Sequence, residues 1–176
     1  MKAVIFAPGP GLSAFPTDTP RDVTLGINRA VNAVPCDYAV ILDHEAWPKV
    51  QPKGKPIWVC LFIQHDEGIE KGNQSADYPW VDIQSIRFPR PILWSVYSTT
   101  AAIAMACHLG ATEIETWGVD WNGCTDWDGK YSSELGRSED RWRCERAMCH
   151  VIATMAEARG CTVRRMPYDE PLRLVA

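Results

Sequence analysis

Residues 98–121 read STTAAIAMACHLGATEIETWGVDW, and the fold turns on how this stretch is parsed. Small and apolar residues run almost unbroken from Thr99 to Leu109. Ser98 is the expected N-cap and Gly110 the natural stop, which predicts a helix. A helix apolar nearly all round must be buried against a sheet. EIETWGVD (113–120) then reads as a strand running straight into an acid, Asp120. Helix, tight turn and strand in this order are the second half of a β-α-β crossover.

Upstream, AVIFA (3–7), VTLGIN (23–28), YAVILD (38–43) and PIWVCLF (56–62) read as further strands. Their runs are continuous enough to be covered on both faces, as in a parallel sheet. Residues 64–91 are polar and punctuated by glycine and proline, with one short strand expected at SIRF (85–88). Downstream, the loop 121–137 carries Asn, Gly, Asp and Ser and is expected to act as a lid. SEDRWRCERAMCHVIATMAEARG (138–160) is the longest helix candidate, capped by Ser138. Trp142, Ala147, Val151, Met155 and Ala158 trace its expected inward stripe. CTVRRM (161–166) closes the pattern as a last strand. The alternation predicts one domain over 1–176, an α/β fold with an open, mostly parallel sheet and helices on both faces.

Composition agrees with a globular chain: of 176 residues, 46% are hydrophobic and 23% charged. A net charge of −4 and a pI near 5.5 argue against a broad basic face for duplex nucleic acid. No apolar run approaches the roughly 18–20 residues of a membrane span. The start, MKAVIFAPGP, lacks the long apolar core of a signal peptide, so a cytoplasmic protein is expected. Seven cysteines without a CxxC pair fit reduced thiols, with Cys60 and Cys107 as small core residues. The spacing of Cys124, Cys144, Cys149 and His150 matches no known zinc pattern, and no metal site is assigned. Eight tryptophans are unusual; Trp117, Trp121 and Trp127 crowd one segment, either as packing or as a stacking wall.

In open parallel sheets ligands bind beyond the carboxyl ends of the strands. The residues at those ends are therefore the candidates. Gly9, Pro10 and Gly11, in a turn stiffened by Pro8, leave room for backbone amides to face a phosphate or carboxylate. A tight structural turn explains them equally. Asn28 ends the second strand. Asp43, His44 and Glu45 follow the third, supplying a general base or a partner for ribose hydroxyls. Gln64, His65 and Asp66 follow the fourth. Ser98, Thr99 and Thr100 combine hydroxyls with the amides of a helix start, which serves an anion or ordinary capping. Asp120 is a lone acid after a buried strand, and a carboxylate there must be satisfied by something. Arg137, Arg141 and Arg146 can meet a phosphate when the lid closes, or form a solvated helix face. His108 falls inside the buried helix run, and His150 has no partner identifiable from sequence.

GPGLSAFP, TLGINRAV, CDYAVILDHEAW and STTAAIAMACHLGATEIETWGVDW, in this order and spacing, resemble a Rossmann-like superfamily. It contains the bacterial CMP-sialic-acid-dependent sialyltransferases and the MptE-like 6-hydroxymethylpterin pyrophosphokinases, and short phage-encoded proteins share its pattern. The resemblance spans residues 3–122 and rests on weak motifs in the correct order. It implies a three-layer Rossmann-like sheet and a nucleotide-donor pocket at Gly9, Pro10, Gly11, Asn28, Asp43, Ser98, Thr99, Thr100 and Asp120. It departs from the pattern at Gly11, where a serine is usual, and at Thr99–Thr100, where serine–glycine is usual. Trp121 and Asn122 stand near the place of a family tyrosine. The expected activity is glycosyl transfer from a nucleotide sugar, with Asp120, His44 and His65 as the catalytic candidates. The alternatives are a Mg²⁺-dependent diphosphoryl transfer from ATP to a pterin-type alcohol and a non-catalytic nucleotide-binding protein. A homo-oligomer is compatible with either.

Overall fold

The computed structural model describes residues 1–42, 46, 49–60, 80–82, 97–122, 125–130 and 138–173. β1 (Lys2–Phe6) is built from five consecutive residues without a side chain that prefers water past Lys2, and Ala3–Phe6 are fully buried. It pairs in parallel with β2 (Val23–Ile27) on one side and with β6 (Glu113–Trp117) on the other. β3 (Tyr38–Val40), β4 (Ile57–Cys60) and β5 (Trp80–Asp82) extend the β2 side, while β7 (Thr162–Met166) and a two-residue antiparallel β8 (Glu170–Pro171) extend the other. The sheet order is β5-β4-β3-β2-β1-β6-β7-β8. Chain direction away from the centre reverses between β1 and β6, which makes that junction the topological switch point where open α/β sheets open a crevice. The fold is Rossmann-like α/β, as the order of strands and helices implies.

Alternation along each strand divides the core in two. Ala3, Ile5, Leu25, Val40, Ile114 and Val163 face α1 (Ser98–His108) and α2 (Glu139–Glu157). Val4, Phe6 and Trp117 face the opposite way, under a 3₁₀ helix at Pro10–Ala14 and a second at Asn28–Asn32. Four fully buried alanines of α1, Ala101, Ala102, Ala104 and Ala106, let it lie close to the sheet.

Several expectations are corrected in detail. Tyr97, not Ser98, is the N-cap of α1, and it makes no side-chain capping bond. Ser98 is instead the first helical residue and is buried. His108 is exposed, because it falls in the last turn, where the helix leaves the sheet. Ser138 does cap α2, accepting the Arg141 N–H at 3.2 Å. The inward stripe of α2, however, is Cys149, Ile152, Ala153 and Ala156, with Trp142 and Met155 packed beside it. Val151 is 40% exposed and Ala147 and Ala158 face solvent. The contact face is phased on Ile152 and three small side chains, which leaves the adjacent Val151 turned outward. A strand at Trp80–Asp82 was not anticipated, and SIRF lies outside the described residues.

Candidate functional site

The chain after β1 turns at once against the chain after β6. Ala7 N–H donates to Trp117 O at 2.7 Å and Gly9 N–H to Gly118 O at 3.0 Å, so the pairing outlasts the strands. Gly9 has φ −66°, which any residue adopts, so glycine is needed there for space alone. A Cβ on Gly9 would overlap Gly118 O and stand 2.5 Å from Asp120 Oδ2. Gly11 N–H donates to that same Oδ2 at 2.7 Å, and Leu12 N–H to Gly9 O at 3.0 Å. Prolines 8 and 10 carry no N–H. Every amide of this turn that was expected to face a ligand is therefore spent inside the protein. The Pro/Gly turn is the seat on which the Asp120 loop rests.

That seat forms the floor of a cleft at the switch point. Gly9, Asn28, Ser98, Thr99 and Asp120 all line it, drawn from four separate segments. Pro10, Gly11 and Thr100 do not; Gly11 acts through Asp120, and the Thr100 hydroxyl donates to Tyr97 O at 2.8 Å. Asp43, His44 and His65 lie outside the described residues.

Two acceptors in the cleft have no hydrogen-bond partner among the described residues. They are Asp120 Oδ1 and Asn28 Oδ1, both buried at the atom. Asn28 sits at φ 48°, in the left-handed region that Asn tolerates better than most residues. Buried oxygens without donors are costly unless a ligand or water supplies a proton. The opposite wall is the start of α1, whose first-turn N–H groups have no helical carbonyl to donate to. Thr99 Oγ1 donates to Glu145 Oε1 of α2 at 2.9 Å and so ties the two helices at the rim.

Trp121, Trp142, Arg141 and Glu145 complete the lining. Of the crowded tryptophans, Trp117 belongs to the core under the 3₁₀ helices and Trp127 packs against it, whereas Trp121 is buried in the core on the helical face and also lines the cleft. Trp121 has φ 51°, an unfavourable backbone for a bulky residue, held by its neighbours. Tyr97 and Glu145 were not singled out from sequence. Glu145 stands four residues after Arg141, one helical turn on, and that spacing is the signal that would have placed both on one wall.

The loop expected to be a lid is anchored over 125–130. Arg29 binds Asp126 Oδ2 at 2.5 Å and Asp128 Oδ2 at 2.6 Å, and its guanidinium lies 5.1 Å from the Trp127 ring centroid. Trp127 N–H donates to Pro8 O at 2.8 Å. Asp126 and Asp128 thus serve as partners for Arg29.

No helix among the described residues is long and apolar enough to cross a membrane. No family model matches the sequence, and no curated protein matches it. The fold is similar to that of the sialyltransferase CstII from Campylobacter jejuni, solved in complex with a substrate analogue, CMP-3FNeuAc. The TM-score is 0.55 at 11% identity, over 96% of this chain and 82% of that one. At such identity the likeness shows a shared fold alone: an open, mostly parallel α/β sheet of Rossmann-like character.

Proposed function

We propose that this chain is a nucleotide-dependent transferase that moves a glycosyl group from a nucleotide sugar to an acceptor hydroxyl. The observation that carries the reading is the pairing, in one cleft, of an unpartnered carboxylate oxygen with a helix start. Asp120 Oδ1 offers a proton acceptor, and the first turn of α1 with Arg141 offers positive potential for phosphate. Asn28 Oδ1 takes a hydroxyl or amine of the nucleoside, and Trp121 and Trp142 supply flat walls for its rings. The likeness in fold to a sialyltransferase crystallised with a CMP-sugar analogue supports the choice of donor class. Asp43, His44 and His65 complete the expected set.

In the reaction, Asp120 accepts the proton of the acceptor hydroxyl as that oxygen bonds to the anomeric carbon. The anomeric C–O bond to phosphate breaks, and the nucleotide leaves with the electron pair. Gly11 N–H holds the other carboxylate oxygen, which fixes the direction in which Oδ1 works.

The test is calorimetry with CMP, UDP, GDP and their sugars, followed by product analysis with Asp120→Asn. Nucleotide binding in the micromolar range is expected, with turnover reduced about 10²–10⁴-fold in the variant and binding kept. Full activity in Asp120→Asn removes it as the base. Tight binding with no product over hours identifies a nucleotide-binding protein instead, and an EDTA-sensitive reaction that consumes ATP and yields a diphosphorylated alcohol identifies diphosphoryl transfer.

A further inference from the structure

Behind the cleft wall the hydrogen-bonding balance reverses. The Trp121 side chain is 6% exposed, and three cation-bearing residues gather about its ring. The Arg165 guanidinium lies 5.1 Å from the ring centroid, that of Arg146 5.6 Å, and the His150 ring 6.1 Å. Arg165 is also stacked on Tyr168, at 4.5 Å. Its Nη2 meets Glu170 Oε2 at 2.7 Å, but its Nε is buried with no acceptor. Trp121 Nε1 is likewise buried with no acceptor. Arg146 makes no ion pair among the described residues and is exposed. His150 Nδ1 lies 3.2 Å from Arg173 O.

The floor of the cleft therefore has acceptors lacking donors, at Asn28 and Asp120, while the cluster around Trp121 has donors lacking acceptors. Both guanidinium groups lie within 5.6 Å of one indole centroid, and Glu170 pairs with only one of them. What this cluster lacks is negative charge with acceptor oxygens, as a carboxylate or a phosphate brings, and guanidinium forks bind these with two parallel bonds. Trp121 is shared by both environments, since it lines the cleft and lies under the arginines.

We propose that Trp121, Arg146 and Arg165 form an oxyanion subsite for the carboxylate or phosphate of a second substrate, apart from the phosphate of the nucleotide. This rests on the donor reading of the cleft only in calling that substrate the second. The molecule that meets the nucleotide sugar in this cleft is then an acid bearing hydroxyls: its hydroxyl reaches Asp120 and its oxyanion reaches the arginines.

The experiment follows the indole ¹⁵N–¹H resonance of Trp121 in the whole chain, assigned with Trp121→Phe. Inorganic phosphate, glucuronate and neutral glucose are added at constant ionic strength, with and without CMP. Saturable shifts with phosphate and glucuronate, none with glucose, and at least tenfold weaker binding in Arg146→Ala are expected. Arg146 is exposed, so this variant keeps its fold even where Arg165→Gln does not. The same titration in the presence of CMP should be unchanged. No saturable shift, an equal response to glucose, or an unaltered Arg146→Ala overturns the subsite. Competitive displacement of phosphate by CMP overturns its separateness, for the oxyanion is then the nucleotide's own. Anions that titrate while no nucleotide binds would uphold the subsite and refute the donor reading.

Discussion

Gly11 donates its backbone N–H to Asp120 Oδ2 at 2.7 Å, across 109 residues of sequence. This bond joins the turn after β1 to the turn after β6 at the switch point of the sheet. It leaves one oxygen of Asp120 committed and the other buried without a donor among the described residues. The glycines of the first turn make room for that carboxylate.

Their replacement should therefore damage folding in a graded way. In Gly9→Ala the new Cβ overlaps the backbone oxygen of Gly118, which cannot swing aside. In Gly11→Ala it stands 2.7 Å from Asp120 Oδ1, a side-chain atom with some freedom. We expect losses of about 3 kcal/mol for Gly9→Ala and about 1–2 kcal/mol for Gly11→Ala, measured by urea unfolding. Equal, negligible losses would mean that the two turns are not in this contact.

Asp120 should separate stability from turnover. Asp120→Ala leaves the Gly11 amide without its acceptor and should cost about 1–3 kcal/mol. Asp120→Asn keeps a carbonyl oxygen for that amide and should fold within about 1 kcal/mol of the parent. The thermal midpoints of the two variants check this, and if Asn falls as far as Ala, the charge itself holds the turn.

Arg29 predicts the strength of the anchor on 125–130. The Asp126 side chain is fully buried and Asp128 is 24% exposed, yet both bind the same guanidinium. Arg29→Ala strips a buried carboxylate of its ion pair and should destabilise by about 3 kcal/mol. Asp128→Ala removes a partly solvated pair and should cost less than about 1 kcal/mol. Comparable losses in the two would contradict the burial difference.

These contacts mark what could and could not be read from residues alone. The strands were legible because their apolar runs are continuous, and the order of strands and helices was enough to imply a parallel sheet. Asn28 and Asp120 were picked out by the rule that ligands gather beyond strand ends, and Ser98 by its place at a helix start. What escaped were relations that depend on distance between remote segments. The sequence GPG looks the same whether its amides face a phosphate or, as here, a carboxylate and carbonyl of the neighbouring turn. The stripe of α2 was misphased by one position: Val151 and Ile152 are both apolar neighbours, and only the packing shows that Ile152 faces the sheet while Val151 faces out. Arg29 was invisible as an anchor because its partners lie 97 and 99 residues away.

The last prediction concerns alkaline pH. Burial first, and then the neighbouring Asp37 carboxylate, push the Cys36 thiol from 9.0 up to about 12. In the unfolded chain the thiol ionises near its ordinary value, while in the folded chain it stays protonated. The unfolded state therefore binds fewer protons above pH 9, and stability falls as pH rises. The Cys36 contribution is constant below about pH 9 and is lost between 9 and 12, at no more than about 1.4 kcal/mol per pH unit. Lys2, whose ammonium is held above its usual 10.5 chiefly by the Glu115 hydrogen bond, acts only at higher pH. Urea unfolding between pH 9 and 10.5 thus isolates the thiols. Burial also raises Cys149, so Cys36→Ala should lessen the slope in this window without flattening it. The slope rather than the absolute stability is the diagnostic, because removing the sulfur also loosens packing around Val31 and Ala33. A slope identical to that of the parent would show that Cys36 ionises equally in the folded and unfolded chains, and that water reaches its thiol.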